Sequence, residues 1–232
     1  MHRVLVETMP KPGEVAAIEG DEARHALRVK RVRGGEQVEL LDGRGGVALG
    51  EVVEGGRDEL RVRIRDVRHV EPTRPRVEVW TAVPKGGRVD EMIDQLAQAG
   101  AASWGPLETA RGVVEPRESK MERLERIARE ASKQCGRAWT LAIAAKQTAA
   151  DALRGGEGVR VVVADSSGGG YRRDPGRTNT IRLLIGPEGG WTPEELAAAG
   201  AAGATIAAFG PHVMRIETAA VVACGAVLAT ES

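Results

Sequence analysis

Residues 186–192 read GPEGGWT and follow directly on the apolar run IRLLI. Glycine-rich turns at strand ends expose backbone NH groups, and with the start of a following helix they attract anions. This turn lacks the P-loop lysine and the GxGxxG spacing, and Glu188 stands where a phosphate would be repelled. The residues therefore describe a backbone cradle for something other than a polyphosphate. A second stretch, GPHVMRIET at 210–218, places Arg215 and Glu217 at the mouth of a segment that is otherwise apolar on every side, which predicts a fully buried helix. A charge at such an entrance needs a partner or a task. Either Arg215 pairs with Glu217 or Glu188 within the chain, or these residues do chemistry. His212 in the same stretch either assists a proton transfer or merely packs. His25 and His69 are isolated, and with no HExxH or triad context in the chain, nucleophilic and metal-assisted hydrolysis have no positive support.

From residue 77 onward, apolar strand-like runs alternate with helical patterns: VEVWTAV, VDEMIDQLAQAG, SKMERLERIAREASKQCG, RVVVAD, IRLLIG, ATIAAFG and a final apolar helix. Such alternation predicts a mostly parallel sheet covered on both faces. Ligands of open parallel sheets sit beyond the carboxyl ends of the strands, so ADSSGGG, GPEGG and GPHVMRIET would line one site if their strands are neighbours. Glycine loops are also common where nothing binds. After the second loop, Thr192 at the cap, Pro193 at the first position and Glu195 form a capping box, with Gly200 as a stop. Trp191 and Leu196 occupy the positions of a hydrophobic staple; direct ligand contact is the alternative role for this tryptophan. In the long helix, Met121, Leu124, Ala128, Ala131 and Cys135 form one core-facing stripe, while Arg123, Arg126, Lys133 and Arg137 lie on the other face.

The first seventy residues show a different pattern, with short runs RVLVE, EVAAIE, EQVELLDG, GVALGEVVEGG and ELRVRIRDV joined by tight turns. They predict a small β-barrel or sandwich, interrupted by one helix that Asp21 would cap. EPTRPR at 71–76 reads as a linker because two prolines within four residues disfavour helix and central strand. Two domains follow, 1–72 and 73–232. Within RHALRVKRVR, residues Arg24, Arg28, Lys30, Arg31 and Arg33 occur without one acid, a stripe that either tracks a phosphate backbone or is a solvated face. Arg111 and the basic face of the long helix make a second patch.

Composition narrows the classes. The formal net charge is zero, so nucleic-acid contact must come from such local patches. Aromatics are 3% of the chain, too few for a face of stacked rings. Cys135 and Cys224 lack CxxC spacing, which predicts buried free thiols in a reducing compartment and no metal. Without a signal-peptide pattern or a long apolar run, a cytoplasmic protein with no membrane partner is expected.

LLIGPEGGWTPEE followed by FGPHVMRIETAA resembles the C-terminal signature of the SPOUT superfamily of S-adenosylmethionine-dependent RNA methyltransferases. More closely, the chain is similar to the ribosomal small-subunit methyltransferase E family, the 16S ribosomal RNA uracil-N3 methyltransferases. RHALRVKRVRGGEQVELLDGRG, KGGRVDEMIDQLAQAGA, the ARG around Arg111 and EASKQCGR extend the similarity over nearly the whole chain. The resemblance implies a PUA-like β-barrel that binds RNA, then an α/β SPOUT domain with a deep trefoil knot, assembled as a homodimer. It implies S-adenosyl-L-methionine as cofactor and 16S rRNA in the small ribosomal subunit as partner. Cofactor contact is carried to Ile185, Gly186, Pro187, Glu188, Gly189, Gly190, Gly210, Val213, Met214, Arg215 and Thr218. RNA contact is carried to Arg24, Arg28, Lys30, Arg31, Arg111, Arg126, Lys133 and Arg137. For catalysis Arg215 would stabilise a uracil anion, with Glu217 its orienting partner or base and Glu188 the rival base. This sequence departs from the family's LGxxILRxETA pattern at the apolar positions, and ADSSGGG has no assigned counterpart. Competing readings are methylation of another RNA position such as a ribose 2′-hydroxyl, a non-catalytic RNA-binding module, and a nucleotide-binding oxidoreductase, which the missing GxGxxG disfavours.

Overall fold

The computed structural model describes residues 1–56, 58–113, 118–173, 176 and 178–231, and they divide into two compact units. The first comprises Met1–Pro72 together with Ser132–Thr140, and the second Thr73–Ala131 with Leu141–Ser232.

In the first unit, β1 (His2–Leu5), β2 (Val15–Glu19), β3 (Gln37–Leu41), β4 (Gly46–Gly55) and β5 (Glu59–His69) build a five-stranded curled sheet in the order β1-β3-β4-β5-β2. Only β1 pairs in parallel, with β3; the other pairings are antiparallel. Period-two alternation puts Val38, Leu40, Leu60, Val62 and Ile64 into one buried cluster. Register shifts in the β4–β5 ladder at Leu49/Gly50 and Val52/Glu54 add local bends of the kind that curl a sheet. A short helix, α1 (Gly20–Arg24), continues as one π-helical turn over His25–Val29. It starts one residue before Asp21, which lies in the first turn and pairs with Arg24 instead of capping.

Ser132–Thr140, expected with the second domain, belongs to the first unit. Side-chain polar contacts help to hold it there. The Lys133 ammonium reaches Glu22 Oε1 at 2.9 Å, with 8% and 25% of the two side chains exposed. The Arg3 guanidinium donates to Gln134 O at 2.8 Å, satisfying one of the carbonyls that a helix end leaves open, and Trp139 Nε1 donates to Val70 O at 2.7 Å. Gly136, at φ +78°, supplies the left-handed turn just after the helix. A Cβ there would come within 2.5 Å of the Arg3 guanidinium.

The second unit contains β6 (Arg76–Thr81), α2 (Arg88–Ala99), β7 (Ser103–Glu108), α3 (Glu118–Cys135), β8 (Ala142–Ile143), β9 (Gln147–Thr148), α4 (Ala149–Ala152), β10 (Val159–Gly170), β11 (Thr180–Ile185), α5 (Pro193–Ala201), β12 (Thr205–Ala208) and α6 (Ile216–Glu231). Its sheet is parallel throughout, in the order β12-β10-β11-β6-β7-β8, with β9 also on β7. Both faces are covered. Val77, Val79, Val162, Ile181, Leu183 and Ile185 face the cluster that takes in α2, α3 and α6, while Trp80, Val161, Val163 and Leu184 face the one that takes in α4 and α5. The helical period fits this: Val89, Met92, Ile93, Leu96 and Ala97 of α2 are all buried.

Differences from the sequence reading are local. β7 carries Gly105 and Pro106, which hid its strand character; Gly105 is required because a Cβ would sit 2.3 Å from the Trp80 ring. ADSSGGG is not a free loop, since β10 runs on through it to Gly170, with a register shift against β12 between Ala164 and Gly169. α5 passes Gly200 and ends before Gly203, which has φ +76°. Cys224 is buried, but Cys135 is exposed in the last turn of α3.

The Lys133–Glu22 pair yields a stability test. Lys133→Met leaves a largely buried carboxylate without its cation and is expected to cost about 2 kcal/mol in a urea titration. Adding Glu22→Gln should recover most of that loss, because the amide still accepts the Leu5 NH that Glu22 Oε2 holds at 3.0 Å.

Candidate active site

Strands β12, β10, β11 and β6 are consecutive neighbours, so the segments at the ends of β10, β11 and β12 do converge. They enclose a cavity of about 330 Å³, within the range of small-molecule sites. Ala164, Asp165 and Ser166 contribute from β10, residues 185–191 from the GPEGG turn, and 207–210 with 212–214 from the end of β12 and the loop beyond it; Ile216 and Ala219 of α6 complete the wall.

Local chemistry explains the shape of the GPEGG turn. Gly190 has φ +71°, and its NH closes on Pro187 O at 2.9 Å. Thr192 then caps α5 with the reciprocal capping box expected from its sequence: Glu195 N donates to Thr192 Oγ1 and Thr192 N to Glu195 Oε2. Glu195 Oε1 also accepts the Ala110 NH at 2.9 Å. The Arg111 guanidinium donates to Gly189 O at 2.7 Å, so the segment after β7 braces the turn from outside. Glu194, exposed in the first turn of α5, is held below the usual carboxylate range by its own backbone NH first, then by the Thr192 hydroxyl and more weakly by the Arg111 charge.

Trp191 is a buried anchor of the turn. It shares a buried cluster with Leu196, as a staple would, and it also lines the cavity. Its Nε1 donates to Ala164 O at 3.0 Å, tying the turn after β11 to β10. A Cβ on Gly186 would come within 2.9 Å of the indole, so this glycine gives the ring its place.

Of the expected cofactor contacts, Ile185, Gly186, Pro187, Glu188, Gly189, Gly190, Gly210, Val213 and Met214 line the cavity. Arg215 and Thr218 are exposed and do not. Arg215 has no ion pair among the described residues, so the pairing with Glu217 or Glu188 does not form. Glu217 instead faces Arg88 at 3.8 Å, while its Oε2 is buried without a hydrogen-bond partner. The final helix is not fully buried either: Thr218, Val222 and Ala229 are exposed along one face. Asp165, Ser166, Trp191, Phe209 and His212 are among the lining residues beyond the assigned contacts. The glycines of ADSSGGG were the usable signal for the first two.

The basic residues divide. Lys133 is buried on Glu22 and is removed from the RNA-facing set. Arg24 is exposed and pairs with Asp21, whose hydrogen bond and charge raise its pKa further; Arg28 lies 3.3 Å from Asp58. Lys30, Arg31 and Arg126 are exposed and Arg137 half-buried. Arg31 lies past the helical turns at φ +55°, so it does not continue their face.

The lining also tests the cofactor. Its charged side chains are Asp165 and Glu188, with no lysine or arginine, and the remainder is backbone, glycine and apolar surface. Such a site suits a ligand that carries a positive sulfonium and a base, and it repels polyphosphates. Gly186→Ala pushes a methyl group into the Trp191 indole and is expected to weaken S-adenosylmethionine binding about tenfold by isothermal titration calorimetry, with the fold retained by circular dichroism.

A model of the RNA methyltransferase domain matches residues 71–228, and a model of the RNA methyltransferase PUA domain matches residues 18–65. The ribosomal RNA small subunit methyltransferase E of Mycobacterium bovis is 35% identical over 96% of this chain and 89% of its own length. That of Synechocystis sp. is 31% identical over 84% and 67%. The Neisseria gonorrhoeae ribosomal RNA small subunit methyltransferase E, solved bound to S-adenosyl methionine, shares the fold with a TM-score of 0.90 over 100% of this chain and 98% of that one, at 21% identity. A candidate methyltransferase of Legionella pneumophila, solved in complex with SAM, superposes with a TM-score of 0.83 over 97% and 96% at 26% identity. With a family model over most of its length and such relatives end to end, this chain belongs to the ribosomal RNA small subunit methyltransferase E family.

Proposed function

We propose that the protein transfers the methyl group of S-adenosylmethionine to N3 of a uridine in the 16S rRNA of the small ribosomal subunit. The observation that carries this reading is the cavity at the ends of β10, β11 and β12, anionic and glycine-walled, in a chain of this family. Ile185, Gly186, Pro187, Gly189, Gly190, Gly210, Val213 and Met214 would hold the cofactor. When bound, S-adenosylmethionine supplies an electrophilic methyl group on a sulfonium cation, whose charge Glu188 and Asp165 offset.

The chain's own residues then have two tasks. The N3 proton of uracil must leave, and the anion so formed must be stabilised while it is held in line with the methyl carbon. Glu188, which lines the cavity, would accept the proton directly or through water. Glu217, 3.8 Å from Arg88, would instead orient that arginine. Arg215, exposed and without an ion pair among the described residues, is free to meet the uracil oxygens. Lys30, Arg31, Arg111, Arg126 and Arg137, with Arg24 and Arg28 once released from their surface acids, would contact the phosphate backbone; surface pairs of that kind are weak enough to be exchanged.

The knot and the homodimer belong to the same reading. After β12 at the edge of the sheet the chain returns through α6 to pack on α2, β6 and β11, the kind of crossing a knot needs. Thr218, Val222 and Ala229 on the outer face of α6 supply a surface for a second subunit. Among the described residues no helix is long and apolar enough to cross a membrane, and a cytoplasmic enzyme meets its ribosomal substrate directly.

Purified protein incubated with methyl-labelled S-adenosylmethionine and small subunits lacking the modification should yield N3-methyluridine on nucleoside mass spectrometry. A ribose-methylated nucleoside would place the reaction at a 2′-hydroxyl, and binding without transfer would remove this substrate. Arg215→Ala is expected to lower kcat by about 10²- to 10³-fold with cofactor and RNA affinities retained. An unchanged kcat would take Arg215 out of the mechanism.

A further inference from the structure

Tyr171 and Phe209 are the chain's one tyrosine and one phenylalanine. They stack, with ring centroids 5.3 Å apart and planes inclined by 22°. The sheet dictates this meeting. β10 and β12 run parallel with Gly169 beside Ala207 and Gly170 beside Ala208, and the Tyr171 NH donates to Ala208 O at 3.3 Å. One further step of that register sets 171 beside 209, on the same face.

Phe209 is part of the cavity wall; Tyr171 is not. Tyr171 is clamped elsewhere. Its hydroxyl donates to Glu231 Oε1 at 2.7 Å, and Arg160 donates to the same oxygen at 3.3 Å. The Arg160 guanidinium also lies 5.1 Å from the centre of the tyrosine ring and donates to Arg172 O at 3.2 Å. Glu231, at the end of α6, is 7% exposed and Arg160 14%, so this cluster is sheltered from water, where hydrogen bonds between charged groups are strong.

Resting on the reading of the cavity as the S-adenosylmethionine site, we infer that Tyr171 is a positioning residue for it: clamped by Glu231 and Arg160, its ring holds Phe209 in the cavity wall. Glycine, alanine, valine and methionine make up much of the remaining lining, and Phe209 and Trp191 are its two large aromatic rings. Trp191 is fixed by its bond to Ala164 O. Phe209 has no polar handle and is only partly buried against the core, so a stacked neighbour adds to the restraint on its χ angles and helps keep the ring from turning into the space a ligand needs.

The single tyrosine makes the test direct. In protein grown with 3-fluorotyrosine, one side-chain ¹⁹F resonance reports Tyr171, and saturation with S-adenosylmethionine should shift it. Tyr171→Leu keeps bulk but loses the stacked ring, and should raise the cofactor Kd about five- to tenfold while kcat at saturating cofactor and the KM for RNA stay unchanged. Tyr171→Phe retains the stack but loses the hydroxyl's bond to Glu231, and should bind with a Kd between those of the wild type and Tyr171→Leu. A wild type that binds cofactor with no ¹⁹F shift, or a Tyr171→Leu protein that binds as the wild type does, overturns the inference alone. A wild type that binds no S-adenosylmethionine overturns the reading of the cavity and this inference with it.

Discussion

The indole of Trp191 is the constraint on which the candidate site depends. It reaches back to the Ala164 carbonyl and so joins the turn after β11 to neighbouring β10; it leaves no room for a Cβ on Gly186; and it packs with Leu196 at the start of α5. A glycine-rich turn left to itself has many conformations, because glycine surrenders more freedom on ordering than any other residue. Here a wide, rigid ring with one polar atom selects among them. The capping box of Thr192 and Glu195 adds direction, and Arg111 and the Ala110 NH press on the turn from the other side. The cradle is therefore held by its surroundings while its own residues remain small enough to admit a ligand to the backbone.

The architecture of the second unit was legible because every central strand of a parallel sheet covered on both faces must be apolar, and each covering helix must carry one apolar stripe. IRLLI, RVVVA and VEVW meet that demand, as do the buried positions of α2. Capping chemistry at Thr192 was equally readable, since it is confined to four residues. Legibility ended where a residue's role is set by chain far away. SWGPLE looks like a poor strand until Trp80 of the adjacent strand fills the space over Gly105. The glycines of ADSSGGG suggest a loop, yet a Cβ on Gly168 would lie 2.4 Å from Ile206 O, so that glycine is what lets β10 pass close beside β12.

Charged residues show the same limit more sharply. Composition announces a charge without naming its partner. Lys133 shares a helix with exposed Arg126, but it turns inward to Glu22, more than a hundred residues earlier. Arg24 and Arg28 stand in a run without an acid, while Asp21 and Asp58 reach them in space. Arg215 lies just before α6 and Glu217 within its first turn, and Arg88 of α2 claims the glutamate. Residues share a helical face only at a spacing of three or four, so closeness in sequence does not by itself pair these two.

The resulting distribution of charge has a consequence for the proposed chemistry. A sulfonium cofactor and a cation that stabilises a uracil anion are of like sign, and enclosing both in one poorly solvated cavity would set them against each other. Carboxylates, backbone and apolar side chains line the cavity, whereas Arg215 stands exposed outside that lining. An anionic RNA arriving from solvent would meet the arginine first, and only the reacting base would need to face the methyl group. Negative charge inside the cavity and positive charge outside it would thus suit a reaction in which a cation is held within and an anion is drawn to the mouth.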